Sequence, residues 1–192
     1  MRDRIKEIFL ESIQVKEDLM RAKIEAIMDI AGLAIDSLKK GGKVMFFGNG
    51  GSASDSQHLA AELVGRFKKD RTALPAIALT VNTSILTALA NDYGYDVVFA
   101  RQVEALGQKN DLVIGISTSG KARNVVAGIK QARKMGLKTV ALTGGDGGEL
   151  SKAADVALMV PSTVTARIQE AHITIGHIIC ELIEQELCSN QS

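Results

Sequence analysis

Two pairs of side chains in this sequence combine polar or titratable groups with a spacing that places each pair on one side of a helix. His58 and Glu62 stand four residues apart in a segment with helical character, so they lie one turn apart on the same face. Gln169 and His177 stand eight residues apart in the last helical segment and lie on roughly one side over two turns. An isolated HxxxE pair is more often a solvated surface pair, but this one follows a loop suited to anions. We therefore treat these residues as the candidates for chemistry.

The loop ahead of the first pair is rich in glycine and serine, which is typical of a phosphate-binding site. An apolar run at residues 44–47 predicts a buried strand, and the sequence GNGG at residues 48–51 ends it. Backbone N–H groups and serine hydroxyls at the start of a helix favour an anion. The N-cap candidates for the helix that follows, which extends to residue 66, are Ser52, Ser54 and Asp55.

A second loop of the same kind, STSG at residues 117–120, follows a later strand. It lies between a predicted strand at residues 111–116 and a predicted helix at about residues 121–135. Ligands of open parallel sheets bind outside the carboxyl ends of the strands, where both loops lie. Two loops that face one crevice would bind a single phosphate, or less readily a diphosphate.

The first loop also matches the dinucleotide fingerprint GxGxxA. That fingerprint needs an acidic residue about 20 positions further on, at the end of the next strand. The second predicted strand, at residues 75–80, is followed by Val81 and Asn82 and has no acid at its end. The Gly-Lys-Ser/Thr of a nucleotide-binding P-loop is absent as well. A phosphosugar fits these loops better, because serine-rich loops can bind a compact phosphate without a pocket for a base.

The order of predicted elements favours an α/β fold with a five-stranded parallel sheet flanked by helices. Residues 1–40 form a helical arm that is continuous or breaks near residues 19–23 and ends at Gly41 and Gly42. Strands alternate with helices through residues 41–192, which we interpret as the α/β core of a single domain. Beyond the strands already named we predict strands at 138–143 and 156–160, helices at 83–90 and 97–106 with a loop at 92–96 between them, and a long C-terminal helix at 165–187.

Composition narrows the possible functions. A hydrophobic content of 46% over 192 residues suits one globular domain, and a formal net charge of +1 gives no sign of a nucleic-acid or membrane partner. We read no signal peptide and no transmembrane helix, so we expect a cytoplasmic protein. Cys180 and Cys188 lack a CxxC spacing, and we expect both to be reduced thiols.

Two further features have a structural interpretation. His172 lies about 140° from His177 around a helix, so the two cannot readily serve one site, and we predict a structural role for His172.

The helical arm carries more apolar surface than one sheet edge needs. Its apolar face is therefore a contact between subunits or a packing surface for its own domain, and the sequence favours neither.

Several motifs in the same order resemble the phosphoheptose isomerases of the sugar-isomerase (SIS) fold family. They are GNGGSASDSQHLAAEL, ALANDYGY, GISTSG, LTGGDGG and ARIQEAHITIGHII. The resemblance covers essentially the full chain and implies one SIS-type domain. It also implies isomerisation of sedoheptulose 7-phosphate to D-glycero-D-manno-heptose 7-phosphate, a homotetramer with sites between subunits, and a role in bacterial heptose and lipopolysaccharide or surface-glycan precursor synthesis.

The resemblance also implies roles for individual residues. Glu62 and His177 would be the catalytic pair, although the sequence cannot assign which is the carbon base, and one zinc ion per subunit would be bound by His58, Glu62, Gln169 and His177. Ala122 departs from the family, which usually has serine at this position; either Lys121 or Arg123 compensates for the missing hydroxyl, or the phosphate specificity differs. The residues implied to contact substrate are Asn49, Gly50, Gly51, Ser52, Glu62, Asn91, Asp92, Ser117, Thr118, Ser119 and Gln169.

One relative within this fold suggests a different function. The bacterial protein that associates with the replication initiator has an N-terminal stretch similar to MRDRIKEIFLESIQ and acts as a binding scaffold without catalysis. That relative departs from the family at the positions equivalent to Glu62 and His177, whereas this chain retains both. The retained pair favours the isomerase, with the initiator-binding scaffold as the alternative.

Overall fold

A computed structural model describes residues 1–188, so the last four residues of the predicted core segment lie outside the described part. The strands are β1 (Val44–Gly48), β2 (Ala76–Ala78), β3 (Leu112–Ser117), β4 (Lys138–Gly144) and β5 (Val156–Val160). The helices are α1 (Arg2–Ala22), α2 (Ile24–Lys39), α3 (Gly51–Val64), α4 (Thr83–Tyr93), α5 (Val98–Leu106), α6 (Arg123–Lys134), α7 (Gly148–Ala153) and α8 (Thr165–Leu187), with a 3₁₀ turn at Tyr95–Val97.

The five strands form one parallel sheet in the order β2-β1-β3-β4-β5, which confirms the predicted fold class. Alternate residues of each strand point to opposite faces. Val44 and Phe46 therefore belong to a core cluster with residues of α1, α2, α3 and α8, whereas Met45 and Phe47 belong to a second cluster with residues of α5, α6 and α7. Because both faces are covered, the central strands β1 and β3 are buried along their whole length.

The strand order places the two serine- and glycine-rich loops side by side. The sheet grows from β1 in both directions, with β2 on one side and β3 on the other, so the switch point lies between β1 and β3. Gly48 at the end of β1 pairs with Ile116 near the end of β3. The loops that follow these two strands therefore open at the same edge of the sheet, as the sequence predicts.

The start of α3 differs from the prediction. Gly50 is the N-cap, with a left-handed φ of +55°, and no side chain caps the helix. The turn at Gly50 starts the helix at Gly51, so Ser52, Ser54 and Asp55 lie inside the first turns and the prediction that one of them caps α3 is wrong. Serine and aspartate favour the cap position, but a glycine that can adopt positive φ takes it here.

Other boundaries also differ. The helical arm breaks at Lys23, inside the predicted interval, and α3 ends at Val64 rather than at residue 66. Helix α4 continues to Tyr93, so Asp92 lies in a helix instead of the predicted loop. Helix α7 was not predicted, because its six residues are too few to show a helical periodicity.

His172 connects α8 to the sheet. Its Nε2–H donates to the backbone carbonyl of Thr143 in β4 at 3.0 Å, and the residue is 1% exposed. Burial lowers the pKa of His172 to about 4, although the hydrogen bond to Thr143 acts in the opposite direction. The residue is therefore a neutral core histidine, in agreement with its predicted structural role.

Replacement of His172 by glutamine should flatten the dependence of stability on pH. The folded-state pKa near 4 lies below the ordinary value of 6.5, so the unfolded chain binds more protons and stability falls as the pH drops from 6.5 towards 4. The histidine should cost about 2 kcal/mol of unfolding free energy at pH 5 relative to pH 7.5. Urea unfolding at both pH values, with a metal chelator present, measures it; equal losses in His172→Gln and the parent would contradict the assignment.

Candidate active site

Helices α3 and α8 lie side by side and run in the same direction, which brings two distant segments together. Near the start of both helices the side-chain amide of Gln169 lies against Gly51. About two turns further on, the side chain of Leu59 lies against Gly176. A Cβ atom at Gly176 would collide with Leu59, so this close approach of the helices requires glycine.

The approach at Gly176 places three predicted site residues in contact. His58 Nε2 lies 2.9 Å from His177 Nε2 and 3.1 Å from Glu62 Oε1. The hydrogen bond between the imidazoles needs one protonated Nε2 and one free Nε2. The side chain of His58 is 50% exposed and that of Glu62 is 21% exposed, so a ligand can reach the group from solvent.

The same three side chains fit a metal ion by their chemistry and spacing. One ligand atom from each of His58, Glu62 and His177 lies within 4.8 Å of the others. Two imidazole nitrogens and a carboxylate oxygen are common zinc ligands, and a tetrahedral zinc with bonds of about 2.0–2.1 Å separates its ligand atoms by about 3.3 Å. The separations of 2.9 and 3.1 Å are close to that value.

Gln169 lies near the start of α3, on the N-terminal side of His58 and Glu62. Its amide contacts Gly51, which precedes His58 by seven residues and hence by about 10 Å along the axis of α3. Gly51 leaves room for this amide because it has no Cβ. Gln169 therefore lies between the loop after β1 and the histidine and glutamate side chains.

Asn49 in the first loop pairs with a residue that the sequence analysis missed. The amides of Asn49 and Asn124 exchange two hydrogen bonds of 2.9 Å each, and the Tyr95 hydroxyl lies 3.5 Å from Asn49 Oδ1. Asn124 is 4% exposed and lies in the first turn of α6. The pair joins the loop after β1 to the helix after β3. The sequence offered one signal for this pair: Asn124 follows the STSG loop closely, and Asn49 is part of the GNGG loop.

The second loop opens into a cleft of about 420 Å³ lined by Thr118, Ser119, Lys121 and the glycine turn after β4. Ser117 is buried at the base of this loop, and Gly120 turns with a φ of +64°. Two backbone hydrogen bonds hold the loop to the end of β4 and to α7: Gly144 N–H donates to the Thr118 carbonyl, and Leu150 N–H donates to the Gly120 carbonyl. The cleft offers hydroxyl and ammonium donors to an anion, although Asp146 also lines it.

The two cations beside Ala122 lie in different surroundings. Ala122 is the N-cap of α6 and supplies no side-chain hydrogen bond. Lys121 lines the cleft, whereas Arg123 points to Asp96 at 3.9 Å on an exposed surface. Of these two cations, Lys121 is thus the one placed to meet an anion in the cleft.

The remaining predicted site residues differ in burial, because Ser52 is buried whereas Asn91 and Asp92 are exposed. Ser52 is 3% exposed in the first turn of α3, and its carbonyl accepts a hydrogen bond from the Ser56 hydroxyl. Asn91 and Asp92 lie exposed at the end of α4, where the Asn91 amide donates to Asp92 at 2.8 Å. Burial raises the pKa of Asp55 to about 6, and the charge of His58 acts in the opposite direction.

Comparison with known proteins matches this chain to one family. A model described as SIS domain matches residues 9–144, which include both loops and α3. A phosphoheptose isomerase of Aquifex aeolicus is 54% identical over 188 residues, 98% of either chain. The chain belongs to the phosphoheptose isomerase family. This family similarity includes α8 and His177, which lie beyond the SIS domain match.

Solved structures of the phosphoheptose isomerase family share the fold. The chain superposes on the phosphoheptose isomerase of Neisseria gonorrhoeae with a TM-score of 0.91, 43% identity and coverage of 96% of this chain and 98% of the other. The phosphoheptose isomerase of Francisella tularensis gives a TM-score of 0.92, 40% identity and coverage of 95% and 97%. Membership of the family therefore rests on sequence and on fold together.

Replacement of Gly176 by alanine should separate α3 from α8 and weaken zinc binding. The added methyl group meets Leu59, and overpacking of this kind costs about 1–3 kcal/mol. We expect the separation of His58 and His177 to lower zinc affinity at least tenfold in a chelator competition assay. Gly32→Ala in α2 is the matched control, because a Cβ at Gly32 meets nothing within 4 Å. Equal zinc affinity in the two variants would show that the glycine contact does not set the site.

Proposed function

We propose that this chain isomerises sedoheptulose 7-phosphate to D-glycero-D-manno-heptose 7-phosphate. The observation that carries the proposal is the contact of Glu62, His58 and His177 beside two serine- and glycine-rich loops. A carboxylate and an imidazole next to an anion-binding edge suit proton transfer on a phosphorylated sugar. The names of the curated relatives from Aquifex aeolicus and Thermodesulfovibrio yellowstonii support the same substrate class.

The phosphate would bind at the loop after β3. Ser117, Thr118 and Ser119 supply hydroxyls at the carboxyl end of that strand, and Lys121 adds a positive charge. Asn49, Gly50 and the first turn of α3 supply polar groups and an electropositive helix end on the neighbouring side. The sugar then extends from this edge towards Gln169 and Glu62.

Isomerisation moves one proton between two carbons while the carbonyl changes place. A base removes a proton from C1 of the ketose, a C1–C2 double bond forms, and the C2 oxygen gains a proton to give the enediol form. Loss of the C1 hydroxyl proton and return of a proton to C2 then give the aldose. We assign the carbon proton to Glu62 and the oxygen protons to His177, since these groups flank His58 from two helices.

We also propose one zinc ion per subunit on His58, Glu62 and His177, with Gln169 as the fourth ligand that the family resemblance implies. Bound zinc supplies a Lewis acid that polarises the oxygens of the substrate. The Gln169 amide lies against Gly51 near the start of α3, and its place in the ligand set rests on the family resemblance. Metal analysis of the purified protein tests the stoichiometry.

A homotetramer with sites between subunits is the proposed assembly. The arm and α8 expose a set of large apolar side chains that a monomer would leave in water. Helices α1, α2 and α8 also border an apolar groove of about 400 Å³. These exposed apolar residues include Ile5, Ile8, Phe9, Leu10, Ile13, Met20, Ile24, Met28 and Ile178.

The proposed pathway is bacterial heptose and lipopolysaccharide or surface-glycan precursor synthesis in the cytoplasm. Its support is the substrate named for the relatives. Among the described residues, 1–188, no helix has the length and apolar character that crossing a bilayer requires.

Glu62→Gln and His177→Ala should each lower the turnover number at least a hundredfold with little effect on folding. General acid and base groups contribute roughly 10²–10⁴-fold, and neither change removes buried apolar contacts on the scale of a core residue. Glu25→Gln is the control, since Glu25 is an exposed glutamate on α2. Turnover and circular dichroism are measured together. A loss below about tenfold in both variants would remove the pair from catalysis.

Turnover of sedoheptulose 7-phosphate in deuterated water tests the reaction itself. Proton removal from C1 by an exchanging carboxylate should label C2 of the aldose with deuterium, which NMR detects. Partial labelling also fits, because a closed site returns part of the original proton. Rapid turnover without any label would contradict the enediolate route. A folded, zinc-loaded protein that forms no aldose would exclude this substrate and favour other phosphosugars, then the initiator-binding scaffold.

A further inference from the structure

The segment at residues 65–75, between α3 and β2, is attached to α8 by a buried ion pair. Arg71 Nε lies 3.1 Å from Glu184 Oε1, and the two side chains are 1% and 3% exposed. Buried charges are costly, and a buried ion pair is often no more stabilising than apolar residues of the same size. A reason other than stability is therefore needed for this pair.

Glu184 also binds the backbone of the segment. Its Oε2 accepts hydrogen bonds from Lys68 N–H at 2.8 Å and Lys69 N–H at 2.9 Å, and its Oε1 accepts one from Phe67 N–H at 3.2 Å. Desolvation favours the neutral acid, but these three bonds and Arg71 outweigh it and hold the pKa of Glu184 below its ordinary value. The carboxylate thus fixes three consecutive peptide groups with its negative charge.

Arg71 binds the end of α3 with its remaining donors. Its Nη2 donates to the backbone carbonyl of Glu62 at 2.9 Å, and its Nη1 donates to the carbonyls of Leu63 at 2.9 Å and Gly65 at 3.2 Å. These carbonyls lie in the last turn of α3 and at its C-cap, Gly65, where intrahelical partners are missing. One of these backbone carbonyls belongs to Glu62, whose side chain is the proposed catalytic carboxylate.

The same pair places an aromatic ring on His177. The Phe67 ring lies 5.5 Å from the His177 ring between centroids, at an angle of 38°. Glu184 follows His177 by seven residues on α8, so the two share one side of that helix. Glu184 therefore holds Phe67 by its backbone while α8 presents His177 to the Phe67 ring.

We propose that Arg71 and Glu184 are positioning residues that set Glu62 and Phe67 against His177 for the isomerase reaction. The proposal rests on the proposed function, because it assigns the pair to the same reacting group. Arg71 fixes the backbone that carries Glu62, and Glu184 fixes the segment that packs on His177. Neither side chain needs to touch the sugar.

Glu184→Gln tests the proposal, with Glu186→Gln as its matched control. The control makes the same change two residues further along α8, where Glu186 pairs with Lys39 on an exposed surface. Loss of a partner that orients a metal or catalytic group typically costs 10–100-fold. We expect Glu184→Gln to lower the turnover number at least tenfold with KM changed less than threefold, and Glu186→Gln to change neither by more than twofold.

Two readouts do not depend on turnover. Hydrogen exchange of the peptide that covers residues 67–69 should be faster in Glu184→Gln than in Glu186→Gln. Cobalt(II) added in place of zinc should give a visible spectrum that differs between Glu184→Gln and the parent, because the spectrum reports the geometry of His58, Glu62 and His177. The isomerase assignment fails if the parent itself has no activity; the positioning role fails if exchange rises while the cobalt spectrum and turnover match the control.

A variant that does not fold requires a milder change. Arg71→Lys keeps the charge but loses the fork that reaches the carbonyls of Glu62 and Leu63. A folded Arg71→Lys with at least fivefold lower turnover and an altered cobalt spectrum supports the proposal. Parental turnover in that variant, or failure of both variants to fold, overturns it, because the pair would then serve the fold alone.

Discussion

The close parallel packing of α3 against α8 is the constraint on which the site depends. The two helices come from segments more than a hundred residues apart, and each contributes a single histidine to the contact between Nε2 atoms. Glycine permits this packing twice, at Gly51 under the Gln169 amide and at Gly176 under Leu59. Beyond the second contact, Arg71 and Glu184 join the ends of the helices. A helix separation larger by one methyl group would move His177 away from His58 and leave the carboxylate of Glu62 without its neighbour.

The sheet supplies the second half of the site through its order of strands. Helix α3 follows β1 after a short turn, in which a Cβ at Gly48 would collide with Ser52 and with the carbonyl of Ile116 on β3. The loop after β1 is therefore pressed against the end of β3, and the Asn49–Asn124 pair bonds it to α6. The groups proposed to transfer protons and the two serine- and glycine-rich loops thus share one edge of the sheet, because α3 belongs to both arrangements.

Much of the fold and of the candidate site could be predicted from the sequence, because strongly periodic segments and glycine-rich loops indicate their structure locally. The five strands, the long helix α8 and the two loops follow from apolar patterning, and the helical angle between His172 and His177 separates a core histidine from a site histidine. The predicted N-cap of α3 was wrong because Gly50 takes that position, and its positive φ depends on the tight turn around it. Arg71 was missed for a different reason: its partner Glu184 lies 113 positions away, and neither residue stands in a motif. Pairing over such a distance is decided by the packing of helices, which periodicity does not encode.

The solvent exposure of the candidate site in a single chain is a reason to connect the proposed reaction with the proposed assembly. Half of the His58 side chain is in contact with solvent in one chain, yet an enediolate is better protected from side reactions where water is excluded. The chain also exposes apolar residues on α1, α2 and α8, the same helix that carries His177 and Gln169. Burial of that surface by another subunit would favour association for its own hydrophobic gain. A subunit placed there would also lie close to the proposed catalytic residues, so the proposed assembly and the proposed catalysis would depend on one surface of α8.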